Sequence, residues 1–150
     1  DHERQVTHEQ ERTMTETVLE QFVRDFHDLV RRRDLAALPD FIVDQPVFHT
    51  PRFLKPITSK AQMVLVLQGI VQFVEGFEYH RIFTRGNEAV MEFRGKIGEV
   101  VVHGIDIFTI DDAGKIKELT VFLRPTKALE AIGRMEDQHF QRMQAQSAGR

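Results

Sequence analysis

From Gly76 to Arg124 the hydrophobic period of this chain is two, and that stretch constrains the fold more than any other part of the sequence. Turn signals at Arg85-Gly86-Asn87, at Gly98 and at Asp111-Asp112-Ala113-Gly114 cut it into four strands. The strands are predicted at Phe77 to Thr84, Glu88 to Ile97, Glu99 to Ile110 and Lys115 to Arg124. Connections this short leave no room for a crossover, so consecutive strands must pair as an antiparallel meander. In the second strand Met91, Phe93, Gly95 and Ile97 alternate with Glu92, Arg94 and Lys96, giving one core face and one wet face. The third strand is apolar on both faces, through Val100, Val101, Val102, Ile105, Ile107, Phe108 and Ile110, so its outer surface is expected to meet a second copy of the chain.

Helical periodicity precedes the meander. Val18, Leu19, Phe22, Val23, Phe26, Leu29 and Val30 recur at helical spacing between Thr15 and Arg33, with Thr13 and Glu16 in capping-box form. The basic cluster Arg31 to Arg33 then complements a helix C-terminus, and His27 falls on the solvated face with Glu20, Arg24 and Arg31. Asp34 can cap a short second helix disturbed by Pro39, and Pro46 to Pro51 reads as a brief strand that its prolines keep at a sheet edge. A helix from Ser59, with Gln62 completing its cap, to about Glu75 is apolar nearly all round, as expected of an element buried on a sheet and covered elsewhere. A last apolar helix is predicted from Thr126 to Phe140. Helices first and a long antiparallel sheet afterwards is an α+β order.

At 150 residues the chain is of single-domain size, long enough to bury about 68–70% of its unfolded surface. The domain is expected over residues 15–140, between a leader (1–14, with Met14 a candidate native start) and a tail (141–150), both read as disordered. No stretch approaches the roughly 18 uninterrupted apolar residues of a membrane span. A net charge of -3 with interspersed signs lacks the basic face of a nucleic-acid binder. Cysteine is absent, which excludes disulfides and thiolate chemistry and fits a cytoplasmic protein.

The segment Gly104 to Pro125, GIDIFTIDDAGKIKELTVFLRP, resembles the last hairpin of the nuclear transport factor 2-like (NTF2-like) superfamily, which includes ketosteroid isomerases and SnoaL-like polyketide cyclases. The first helix with Arg33-Asp34-Leu35, the strand PVFHTP and the third helix extend the likeness over about Glu16 to Leu129. The resemblance implies a cystatin/NTF2-like cone, in which N-terminal helices pack on a strongly curved, mainly antiparallel sheet that encloses a pocket. One scaffold of this kind hosts unrelated chemistries, so fold alone does not give function.

By the resemblance, Asp106 matches an aspartate that points into the pocket: protonated and donating to an enolate in ketosteroid isomerases, acid/base in polyketide cyclases. The implied lining is Phe26, Phe48, Thr50, Phe53, Leu67, Val71, Met91, Phe93, Ile97, Val102, Phe108, Leu119, Val121 and Leu123. Two departures count against ketosteroid isomerisation by the familiar route. Phe26 stands where those enzymes carry a tyrosine, and Thr50, whose hydroxyl is no general base near neutral pH, stands where they carry the proton-shuttling aspartate. His49 is a second catalytic candidate if the short strand slips by one residue, although strict alternation sends it to the other face.

A carboxyl among Phe93, Phe108, Leu119 and Val121 is expected to titrate high; the competing reading makes Asp106 a hydrogen-bonded strut of the hairpin. His103, of opposite parity, is expected on the outer face with Val101, Ile105, Ile107 and Phe122 at a homodimer contact, unless a bulge at Gly104 reverses it. His80 reads as a surface histidine, and Arg124 as an outward residue paired with the C-terminal helix or a partner chain. No pair of histidines has metal-motif spacing, so neither metal nor other cofactor is expected. The leading expectation is a cofactor-free homodimer that binds a hydrophobic small molecule, as an isomerase, cyclase or dehydratase using Asp106. The alternative is a non-enzymatic dimeric scaffold. An open cavity of about 300 Å3 or more suits the first, and an interior filled by its own side chains suits the second.

Overall fold

A computed structural model describes residues 16–148. Helix α1 (Val18–Arg32) opens at Thr17, whose hydroxyl accepts from the Glu20 amide at 3.0 Å. The cap is thus Thr17 with Glu20, the same four-residue pattern one turn later than Thr13 with Glu16; Thr13 lies outside the described residues. Leu19, Phe22, Phe26, Leu29 and Val30 form its buried stripe. Arg33 ends it in the left-handed region (φ 53°), where the amides of Arg33 and Asp34 close on the carbonyls of Val30 and Leu29.

The next segment is a 3-10 helix (Leu35–Phe41) with Pro39 inside it. Asp34 precedes it without a side-chain capping bond, contrary to expectation. Strand β1 (Ile42–His49) begins four residues before Pro46 and occupies a sheet edge, where a proline costs no ladder bond. Helix α2 (Lys60–Phe73) is capped by Ser59, which accepts from the Gln62 amide. Its buried residues are Met63, Val66, Gly69 and Val71.

The period-two stretch forms β2 (Glu75–Arg85), β3 (Glu88–Ile97), β4 (Val100–Ile110) and β5 (Ile116–Arg124), within two residues of the predicted boundaries. The sheet order is β1-β5-β4-β3-β2, antiparallel throughout except for the β1–β5 pair, which is parallel. Register breaks in β2, in β1 and near the β4–β5 turn bend an otherwise regular ladder. β3 and β4 pair without interruption from Glu88↔Thr109 to Ile97↔Val100, so no bulge at Gly104 reverses the parity of β4. Gly104 is required for another reason: a Cβ there would lie 2.3 Å from the Phe122 carbonyl oxygen and 2.6 Å from the Phe93 ring.

Helix α3 (Thr126–Ala148) runs eight residues beyond Phe140. Residues 141–148 are exposed, but Arg, Met, Gln and Ala are all good helix formers and no proline or glycine intervenes, so the expected tail is helical through Ala148. α1 and α2 pack with α3 against the concave side of the sheet, around a core that includes Leu29, Leu38, Met63, Met91, Phe108 and Leu119. Among the described residues no helix is long and apolar enough to cross a membrane.

Candidate functional site

Burial along β4 alternates strictly: Val102, Gly104, Asp106, Phe108 and Ile110 are buried, and the residues between them are not. Asp106 therefore points into the concave side, flanked across the ladder by Met91 on β3 and Val121 on β5. It is 7% exposed. Its carboxyl Oδ2 accepts a 2.6 Å hydrogen bond from the Tyr79 hydroxyl. Tyr79 arrives from β2, wedged among Phe26, Phe77, Phe93 and the edge of His27. His27 is accordingly half-buried against Tyr79, not fully solvated.

Burial pushes the Asp106 carboxyl up from 3.8 to about 7, and the Tyr79 bond only partly opposes it. The same burial, with the neighbouring carboxylate, raises the Tyr79 phenol well above its ordinary value. The pair thus contains an aspartic acid that is partly protonated at neutral pH and a tyrosine that stays protonated. With the Tyr79 proton given to Oδ2, the acid proton of Asp106 is the one donor the pair can offer to an oxygen that gains negative charge.

These two groups line a small apolar cavity of about 50 Å3. Of the expected lining, Phe26, Phe48, Thr50, Leu67, Val71, Phe93, Val102, Phe108, Leu119, Val121 and Leu123 border it. Three do not. Phe53 is 60% exposed on the loop after β1, Met91 is fully buried in the core without bordering the cavity, and Ile97 is half-buried near the far end of β3. Phe77, Tyr79, Ile132 and Glu136 border the cavity and were not anticipated. Tyr79 was hidden because the register breaks in β2, between Glu75 and Glu78 and between Tyr79 and Ile82, destroy the parity that would have marked it as inward. Glu136 had a signal: a charged residue four after Ile132 in the buried stripe of α3.

Glu136 is the second acid of the cavity wall. Its Oε2 accepts from Arg52 Nη1 at 3.0 Å, and Asp137 shares the same guanidinium at 3.2 and 3.4 Å. Burial raises the Glu136 carboxyl, and Arg52 opposes the rise. Arg52 sits on the loop after β1, and its guanidinium lies against Gly133, where a Cβ would come within 3.1 Å of it. Thr50 and Pro51 from this loop, with Val121 and Leu123 from β5, border both the cavity and an open groove of about 620 Å3 outside. His49 lines that groove only, with its Nε2 3.2 Å from Glu118 Oε1, so it does not take the place of a cavity base.

The convex face holds a different ionic group. Glu92, expected in water, is buried under a two-point contact from Arg81 (2.8 and 2.6 Å) and a contact of 2.9 Å with His103 Nε2. These partners, Arg81 first, hold the Glu92 carboxyl well below the usual range. Arg124 donates to His103 Nδ1 at 3.1 Å, so its partner is on β4 and not on the C-terminal helix. His103 and Asp106 are on opposite faces of β4, and His80 is exposed. Among the described residues no group of three or more potential ligands is placed to hold a metal ion.

A curved α+β sheet with helices closing its concave side, and a buried acid–phenol pair inside, defines a cystatin-like domain of the NTF2 type. The family model of the SnoaL-like domain matches residues 23–119, and the chain belongs to that family. A steroid delta-isomerase from Pseudomonas aeruginosa is similar at 30% identity, over 87% of this chain and 96% of that one, with a TM-score of 0.81. An uncharacterized protein with a cystatin-like fold from Silicibacter pomeroyi is 25% identical over 77% and 82% of the two chains, with a TM-score of 0.72. An NTF2-like protein of unknown function from Mesorhizobium loti, at 21% identity over 72% and 92% and a TM-score of 0.65, shares the fold. No curated protein matches the sequence.

Proposed function

We propose that this protein binds a hydrophobic small molecule bearing an oxygen acceptor, and that Asp106 is the acid that meets that oxygen in an isomerase, cyclase or dehydratase reaction. The observation that carries this reading is the 2.6 Å Tyr79–Asp106 bond inside an apolar cavity. With Oδ2 engaged as acceptor, the acid proton of Asp106 falls to Oδ1 and is free to be donated. Tyr79 supplies from β2 a buried hydroxyl that Phe26 on α1 cannot, and by giving its one proton to Oδ2 it fixes the Asp106 carboxyl rather than replacing the tyrosine as a second donor to the ligand. The similarity to a steroid delta-isomerase points the same way. The absence of cysteine suits a cytoplasmic setting.

A second reading, a dimeric scaffold, is favoured by one specific observation. A cavity of about 50 Å3 has room for little more than bound water, far below the roughly 300 Å3 of an ordinary ligand site. Ligand binding therefore requires the wall shared with the groove, Thr50, Pro51, Val121 and Leu123, to give way. Native mass spectrometry of protein purified from its own host separates the two readings: a retained small molecule that is lost in Asp106→Asn supports the binding site, and a ligand-free dimer supports the scaffold. In parallel, the carboxyl carbon of Asp106 is expected to titrate near pH 7 by NMR. A midpoint near the ordinary ~3.9 would end the acid role.

A further inference from the structure

An acid that donates to an oxygen, as Asp106 does when Tyr79 holds its other oxygen, performs half of an enolisation. The other half needs a base for the carbon-bound proton, and Thr50 is no candidate: besides its chemistry, its Oγ1 is used as the acceptor for the Arg52 amide at 3.3 Å. His49 faces the groove and Glu92 the convex side. Among the described residues lining the cavity, two carry carboxyl groups, Asp106 on β4 and Glu136 on α3. Their surroundings differ in the way that divides acid from base. Asp106 meets a neutral phenol and no cation, whereas Glu136 meets the Arg52 guanidinium, itself shared with Asp137.

We propose that Glu136 is the proton-accepting residue of the cavity, with Arg52 as the counter-ion that fixes it at the wall. The inference rests on the acid role of Asp106 given above. In the step, a C–H beside the ligand carbonyl gives its proton to the Glu136 carboxylate, and the bonding pair moves through the C–C bond to the carbonyl oxygen. That oxygen becomes an enolate held by the Asp106 proton. Glu136 then returns the proton to the same carbon, or to one further along the conjugated system, and no oxidant or reductant is consumed. Only one oxygen of Glu136 is taken by Arg52, so the other remains as acceptor. The substrate class that follows is a hydrophobic ketone with an acidic α-hydrogen.

The test is solvent deuterium exchange into the α-carbon of 2-tetralone, a small hydrophobic ketone, followed by proton NMR. Wild-type protein is expected to accelerate exchange over buffer. Glu136→Gln is expected to lower the accelerated rate by about 100-fold or more, and Glu136→Asp to restore part of it with a shifted pH–rate profile. Thermal unfolding of both variants checks that each is folded. Exchange in Glu136→Gln at the wild-type rate, while Asp106→Asn is slowed, overturns the role of Glu136 and leaves the acid reading standing. No acceleration by wild type overturns both. Loss in Glu136→Gln without any restoration or profile change in folded Glu136→Asp also rejects it, because a base should work, less well, one methylene away.

Discussion

Burying Asp106 beside Tyr79 gives a folded carboxyl that holds its proton to higher pH than the unfolded chain does. The unfolded state therefore gains from ionisation first, and stability falls as pH rises from about 4 to about 7. A rise from 3.8 to about 7 spans about three pH units, which at ~1.4 kcal/mol per unit is on the order of 4 kcal/mol. Asp106→Asn keeps an acceptor for the Tyr79 hydroxyl and has no charge to bury. It is expected to be more stable than wild type at pH 8.5, by about 1–3 kcal/mol after loss of the charge-assisted bond, and to show no such advantage at pH 4. Urea unfolding at the two values decides it, and an equal difference at both would show that the carboxyl is not buried as a charge. At this scale the sequence announced Asp106, because β4 alternates without a break. It could not announce Tyr79, because two register breaks in β2 scramble inward and outward positions. Nor could it announce that Glu92, on a face patterned as wet, is roofed by Arg81 and His103 from neighbouring strands.

The elements were legible wherever period and punctuation agreed: the turns at Gly86, Gly98 and Asp111 to Gly114 bounded β2 to β5, and Ser59 bounded α2. Two elements were not. β1 pairs in parallel with β5, a contact between residues some seventy apart in sequence that no local pattern encodes. The loop after β1 offered Thr50 and Phe53 as lining residues, yet it is pinned to α3 by Arg52 through Glu136 and Asp137, while Phe53 is 60% and Leu54 99% exposed. Since Thr50 and Pro51 of that loop border both cavity and groove, loss of the Arg52 tie is expected to open a way to Tyr79. Tyr79 is the sole tyrosine and tryptophan is absent, so the intrinsic fluorescence of the protein reports on the cavity alone. Arg52→Ala leaves Glu136 buried without its cation and frees the loop. Acrylamide quenching of Tyr79 is expected to increase several-fold in this variant under conditions where circular dichroism shows an intact fold. Unchanged quenching would mean that the loop stays shut without its ion pairs.

At the scale of the whole molecule, the concave side of the sheet is covered by three helices, and among the described residues no element covers the convex side. Val101 (46% exposed) and Phe122 (54% exposed) stand there beside half-buried Ile105 and Ile107. The carboxylate buried on that side among the described residues, Glu92, is already paired with Arg81 and His103, so covering the face would not leave it unpaired. An apolar patch whose buried carboxylate is internally paired is suited to an isologous contact, in which the same patch serves both copies. Such a contact needs about 800 Å2 from each partner, and Val101, Ile105, Ile107 and Phe122 form the apolar centre of the β3–β4–β5 face on which it would be built. Wild-type protein is therefore expected to sediment as a dimer at micromolar concentration, and Phe122→Glu with Val101→Glu to sediment as a monomer. Both substitutions lie on the side of the sheet away from Asp106, so the elevated Asp106 titration should persist in the monomer. A wild-type monomer would remove the dimer; a dimer that survives both glutamates would place the contact on some other face.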